Sequence, residues 1–294
     1  MNRYRHLYEI ISNRNYSSKI VTSDFSAWLN YPKYRHIYNK LWLAESQFID
    51  CGPLGIYPRK YPVIFKPIIN LYGMSKSVMK INNDTEYDLN IKDGLFWEEY
   101  LDGTHYCVDF IIRDGKILFM SALVSIEDEV DRINRGIFNY HYTDQDYELP
   151  EHIKLWIDTF LVGYTGLLNL EIISGIIIEV HFRLNGDFQM YDEKFVEILH
   201  NFYENDLDEI NYTPKNIYLV PIFLKNRFAH IDRSKILCIL QETKVDTIHW
   251  DDINSVHQSA CMQRLLIVSI LKGDDNIENI IRIKKNILNY IENI

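Results

Sequence analysis

Apolar residues change period several times along the chain, and the changes mark its elements. Up to about Gln47 the spacing is mostly helical, with YRHIYNKLWLAESQ the clearest helix. Gly52, Pro53, Gly55 and Pro58 then make a loop, and YPVIFKP follows as a short strand bracketed by Pro62 and Pro67. THYCVDFIIRDGKILFMSAL reads as two apolar strands joined at Asp114-Gly115, a strong hairpin signal. The span 127–146 is polar and loop-like. From 149 to 162 the period returns to 3.6, with Ile153, Trp156, Ile157 and Phe160 on one face and Pro150 at the start. GLLNLEII and IIIEVHFR flank Ser174-Gly175 as a second hairpin, and a helix is expected over 192–205. Beyond it, strand-like IYLVPIFL is followed by helical stretches and a long helix after Asp274. Strands and helices fall in segregated runs, so the expected class is α+β.

The second hairpin is chemically unusual. Side chains alternate across a strand, so Glu179, His181 and Arg183 share one face of an otherwise apolar run. Asn169 and Glu171 share a face of the preceding strand. The register has two readings. A two-residue Ser-Gly turn pairs Glu171 with Ile178 and sends the two acids to opposite faces. A three-residue turn centred on Gly175, or a bulge, sets Glu171 opposite Glu179. Two carboxylates side by side then call for a cation between them, and magnesium with a nucleotide's phosphates fits that demand. The competing reading is a solvated face of an ordinary edge hairpin.

Composition narrows the function without naming it. The 294 residues carry a formal net charge of -10, which argues against a nucleic-acid-coating surface. Apolar runs stay short of a membrane span, and MNRYRHLYEI lacks a signal-peptide core. Cys51, Cys107, Cys238 and Cys261 are scattered without metal-type spacing, as expected of reduced thiols in a cytoplasm-like compartment.

Three further segments bear on the hairpin. Lys66 ends the VIFKP strand before NLYGMSKS, a small-residue loop with Gly73, Ser75 and Ser77 that could hold phosphate oxygens. FWEEYLDG places Glu98 and Glu99 before a strand, where an acid accepts the amine of adenine and the backbone at Tyr100 and Leu101 offers a donor and an acceptor. Lys40 lies upstream on a helix. In this order the segments resemble the ATP-grasp superfamily from about Lys40 to Arg183, on YPVIFKP, EEYLDGTHYCVDFIIRDGKI and NLEIISGIIIEVHFR.

The resemblance implies two α+β lobes clamping a nucleotide, with a reduced N-terminal region at 1–47, a small lobe at 48–126, a large lobe with the metal-binding hairpin at 127–205 and a C-terminal α/β extension at 206–294. It implies ATP with Mg2+, Mn2+ being an alternative, and small-molecule carboxylate and amine substrates joined by a C–N ligase through an acyl phosphate. Lys40 and Lys66 would contact phosphates, Glu98 the adenine amine, the backbone of Glu99 to Leu101 the purine edge, and His105 the ribose. Glu171 and Glu179 would hold magnesium, and Arg183 would steady the transferred phosphoryl group. His181 stands where most relatives have asparagine; it could ligate a different metal, donate to phosphate, or mark lost catalysis. A nucleotide-binding protein without catalysis is the runner-up, and an interaction protein without a nucleotide site the third reading. In the second half, Lys225, Arg227, His230, Arg233, His249, Asp251, Asp252, His257 and Arg264 read better as loop and helix-surface residues than as substrate or metal contacts.

Overall fold

The computed structural model describes residues 16–71, 77–126, 140–144, 146–185, 190–225, 234–236, 238, 247–252, 262–270, 282, 285–287 and 289–290. Two antiparallel sheets carry the fold. Strands β1 (Cys51–Pro53), β2 (Val63–Pro67), β3 (Met79–Ile81) and β4 (Leu95–Glu99) form a small sheet in the order β1-β4-β2-β3. The large sheet contains β5 (His105–Arg113), β6 (Lys116–Ile126), β7 (Tyr140–Asp144), β8 (Gly166–Ile173), β9 (Ile176–His181), β10 (Ile217–Lys225), β11 (Thr247–Asp252) and β12 (Met262–Ile270). Its order is β11-β12-β10-β7-β6-β5-β8-β9, which leaves β9 at one edge.

Helices cover these sheets where their apolar stripes demand it. Helix α1 (Asp24–Asn30) is capped by Ser23, a 3₁₀ turn spans Pro32–Tyr38, and α2 (Lys40–Ser46) follows. The long helix expected over YRHIYNKLWLAESQ is therefore broken. Asn39 leaves helical geometry, and its side chain accepts from the Trp42 amide at 3.0 Å, starting a new helix at Lys40. Helix α3 (Asp84–Leu89) packs Tyr87 into the core of the small sheet. On one face of the large sheet, Val108, Phe110, Leu168, Leu170 and Val180 meet Ile153, Trp156 and Ile157 of α4 (Glu151–Phe160), together with Ile37 and Leu43 from the N-terminal segment. On the other face, Ile111, Phe119 and Leu123 meet Phe195, Leu199 and Phe202 of α5 (Glu193–Glu204).

Two expectations need correction. Residues Tyr140–Asp144, read as loop, form β7 between β6 and β10. Thr247–Asp252, read as loop and helix surface, and Met262–Ile270, read mostly as part of the helical stretches, form an antiparallel pair that extends the sheet. A polar strand gains its order from partners distant in sequence, so local periodicity does not announce it. Residues 127–139, Gly73, Ser75, Arg227, His230, Arg233 and His257 lie outside the described residues, as does most of the helix expected after Asp274. The division drawn at 126–127 runs between β6 and β7, which pair with each other, and β10 to β12 continue the same sheet.

Candidate active site

The register of the β8–β9 hairpin decides whether its acids can work together. The turn is the short one: Ile173 pairs with Ile176, and Ile172 with Ile177, across Ser174-Gly175. Both turn residues have positive φ, 52° and 80°, as a two-residue hairpin with a right-handed twist requires. Left alone, this turn would separate the acids. A β-bulge intervenes at Ile178, so that Glu171 pairs with Glu179 and Asn169 with His181. The same bulge points the Ile178 carbonyl outward, where Lys66 Nζ donates to it at 3.1 Å.

Four elements distant in sequence then converge on the edge strand β9. Gln47, just beyond α2, uses its amide as a substitute strand: its Nε2 donates to Ile177 O and its Oε1 accepts from Ile177 N, each at 2.8 Å. The edge is thereby closed to foreign strands. Lys40 Nζ, from α2, lies 2.8 Å from Glu179 Oε2. Lys66 Nζ, from β2, lies 2.5 Å from Glu98 Oε1 on β4. Asp24, from α1, receives the side chains of His181 and Arg183 together: His181 Nδ1 is 3.0 Å from Oδ1, and Arg183 Nε and Nη2 reach Oδ2 at 2.9 and 2.7 Å.

The metal-type residues do come together. Ligand atoms of Glu171, Glu179 and His181 all lie within 4.8 Å of one another. His181 Nε2 is 3.5 Å from Glu171 Oε1 and 3.7 Å from Glu179 Oε1, while His105 Nε2 is 3.6 Å from Glu171 Oε2. Burial would raise the Glu171 carboxyl, but His181, His105 and Lys40 beside it outweigh burial and hold it at about 2. Burial and Arg183 both depress His181; Asp24 and Glu179 overcome them and lift it to about 9. Without metal, an imidazolium and a lysine thus supply the positive charge that two adjacent acids demand.

The residues expected to meet adenine are arranged less simply. Glu98 is buried and bound to Lys66, and burial raises its carboxyl against the pull of that lysine. Glu99 faces the other way, exposed, with its amide donated to Asp50 O at 2.8 Å. The Tyr100 amide goes to Pro62 O at 3.3 Å, so that donor is already committed, and Leu101 follows half-buried. A cavity of about 780 Å³ opens on the Glu99 side, lined by Asp50, Arg59, Lys60, Tyr61 and Tyr100. It is not where the charged groups converge; alternation along β4 separates it from Glu98.

Sequence reasoning missed Asp24, Gln47 and Asp109. Asp109 is fully buried on β5 and accepts from Asn169 Nδ2 at 2.9 Å, the Asn185 amide at 2.6 Å and Tyr191 OH at 2.9 Å. A lone acid inside CVDFII was its available signal. Asp24 and Gln47 had none, because their partners lie more than a hundred residues away.

No protein-family model and no curated protein matches the chain. Solved structures do match it. An L-amino acid ligase from Bacillus licheniformis superposes with a TM-score of 0.57 at 14% identity, covering 85% of this chain and 70% of that one. Carboxyaminoimidazole ribonucleotide synthase from Aspergillus clavatus, solved with ATP, gives 0.58 at 12%, covering 88% and 74%. N5-carboxyaminoimidazole synthetase from Staphylococcus aureus, solved with ADP, gives 0.58 at 11%, covering 84% and 71%. At such identities the likeness speaks for architecture alone, and it runs along most of the chain: the protein has the ATP-grasp fold.

Proposed function

We propose that this protein is an ATP-dependent ligase that joins a carboxylate to an amine or another nucleophile through an acyl phosphate. One observation carries the reading: Glu171 and Glu179 stand abreast on β9's ladder, with Lys40 and His181 meeting their charge and Lys66 anchored at the adjoining bulge. The L-amino acid ligase among the similar structures, and the ATP bound in the Aspergillus clavatus synthase, agree with it. In this reading Lys40 and Lys66 exchange their present carboxylate partners for phosphate oxygens, Glu98 released from Lys66 accepts the adenine amine, and His105 faces the ribose. Arg183 neutralises the transferred phosphoryl group.

Two carboxylates and an imidazole within 4.8 Å of one another suit a divalent metal, held by Glu171, Glu179 and His181. When bound, such an ion neutralises phosphate charge. The chemistry asked of the protein is positioning and charge compensation. The acid's oxygen attacks the γ-phosphorus as the bond to ADP breaks. The amine then attacks the acyl carbon, loses its proton, and expels phosphate as the C–N bond forms. A reaction on free ATP and small molecules would belong in a cytoplasm-like compartment. Among the described residues no helix is long and apolar enough to cross a membrane.

A second reading, nucleotide binding without turnover, is favoured by Arg183. Two of its nitrogens are spent on Asp24 and a third donates to Leu184 O at 3.0 Å. ADP and phosphate release across pools of acids and amines decides between the two. Release that depends on both an acid and an amine supports the ligase. ATP binding with no release for any pair removes it in favour of the second reading.

A further inference from the structure

We infer that Glu171, Glu179 and His181 select a first-row transition-metal dication over Mg2+, and that Asp24 is the positioning residue behind that choice. The inference rests on the metal assignment above and on none of the ligase chemistry.

The argument begins with His181, whose imidazole is 3% exposed and touches three acids. A carboxylate oxygen only accepts, so the 3.0 Å contact to Asp24 Oδ1 assigns the Nδ1 hydrogen to that bond. Arg183 Nη2 also approaches Nδ1, at 3.2 Å, but has its shorter bond, 2.7 Å, to Asp24 Oδ2. Nε2 is then the nitrogen facing Glu171 and Glu179. A carboxylate behind a ligating imidazole fixes its tautomer and ring orientation and raises its basicity. Asp24 is itself fixed: it is 5% exposed, belongs to the first turn of α1, and accepts a fourth bond from Tyr38 OH at 3.3 Å.

The donor set is therefore two oxygens and one oriented imidazole nitrogen. Mg2+ favours oxygen and gains little from imidazole, whereas Co2+ and Zn2+ accept nitrogen readily, with affinity rising along the first-row series. Asp24 comes from the N-terminal segment, so the segment that closes over β9 also tunes the metal site.

Metal binding to the purified full chain, without nucleotide, tests this by isothermal titration calorimetry and by the visible absorption of Co2+. Wild type should bind Co2+ at least about tenfold more tightly than Mg2+. Asp24→Asn should weaken Co2+ about 10- to 100-fold, in the range typical of partners behind a metal ligand, with Mg2+ changed far less. His181→Asn should abolish the preference and shift the Co2+ spectrum toward all-oxygen ligation. Thermal melts of both metal-free variants establish that they are folded. Equal affinity of wild type for Mg2+ and Co2+ would overturn the proposal, as would folded His181→Asn with an unchanged Co2+ spectrum. Since the readout is the metal alone, a protein that binds Co2+ selectively yet never releases ADP would sink the ligase reading and leave this one standing.

Discussion

Lys66 holds its charge in an interior with three neighbours: the Glu98 carboxylate, the Ile178 carbonyl and the Phe96 ring face at 5.6 Å. Removing one partner of such a pair strands the other, which costs about 3–5 kcal/mol, whereas removing both is far milder. Lys66→Met should therefore lower stability by about 3 kcal/mol in urea unfolding, and Lys66→Met with Glu98→Gln should restore most of it. A double variant as unstable as the single one would refute the pairing. Asp109 makes a pH prediction. Burial outweighs the bonds from Asn185, Tyr191 and Asn169 and raises its carboxyl from 3.8 to about 6. Between those values the folded protein keeps a proton that the unfolded chain has released, so this group's contribution falls as pH rises from about 4 to 6. Asp109→Asn can keep the acceptor and lacks the titration. Its stability relative to wild type should improve by about 2 kcal/mol from pH 4 to pH 7, read from urea midpoints. A constant difference would contradict the raised carboxyl.

Among the elements, the β8–β9 hairpin depends most on a single residue. Its two-residue turn sets one register, and the extra residue Ile178 resets it, because a one-residue slip moves every following side chain to the opposite face. Inserting one alanine between Ile178 and Glu179 should leave the turn and fold intact but send Glu179, His181 and Arg183 to the face now occupied by Val180 and Phe182. Circular dichroism should stay near wild type in shape while Co2+ binding falls below detection. Wild-type metal affinity in the insertion would show that the hairpin register is not what aligns the acids. Inverting the buried Val180 and Phe182 also carries a stability cost, so the variant should melt earlier.

At the scale of the molecule, the small sheet and the N-terminal helices meet the large sheet through charge on β9: Lys40 to Glu179, Lys66 to Ile178 O, Asp24 to His181 and Arg183. A nucleotide bound there, as proposed, would link both sheets and stabilise only the folded state. At a hundredfold excess over Kd that linkage is worth about 2.7 kcal/mol, a rise of about 5 °C or more in Tm for a chain of this size. ATP with Mn2+ should produce such a shift, and Glu179→Gln should remove its metal-dependent part. A melting temperature unmoved by saturating ATP would leave the third reading, a protein without a nucleotide site.

Local pattern was sufficient for much of this molecule. Alternation and the Asp114-Gly115 and Ser174-Gly175 turns located both hairpins, the 3.6 period located α4 and α5, and the face shared by Glu179, His181 and Arg183 marked the candidate chemistry. Those features depend on neighbours a few residues apart. Tertiary structure alone decided the rest. The bulge at Ile178 is chosen by which side chains the surrounding core will bury; the strands at Tyr140–Asp144, Thr247–Asp252 and Met262–Ile270 are ordered by the strands beside them. Asp24 and Gln47 acquire their roles from an edge strand far along the chain. Contacts made across such distances follow from closure of the whole fold, and no local period encodes them.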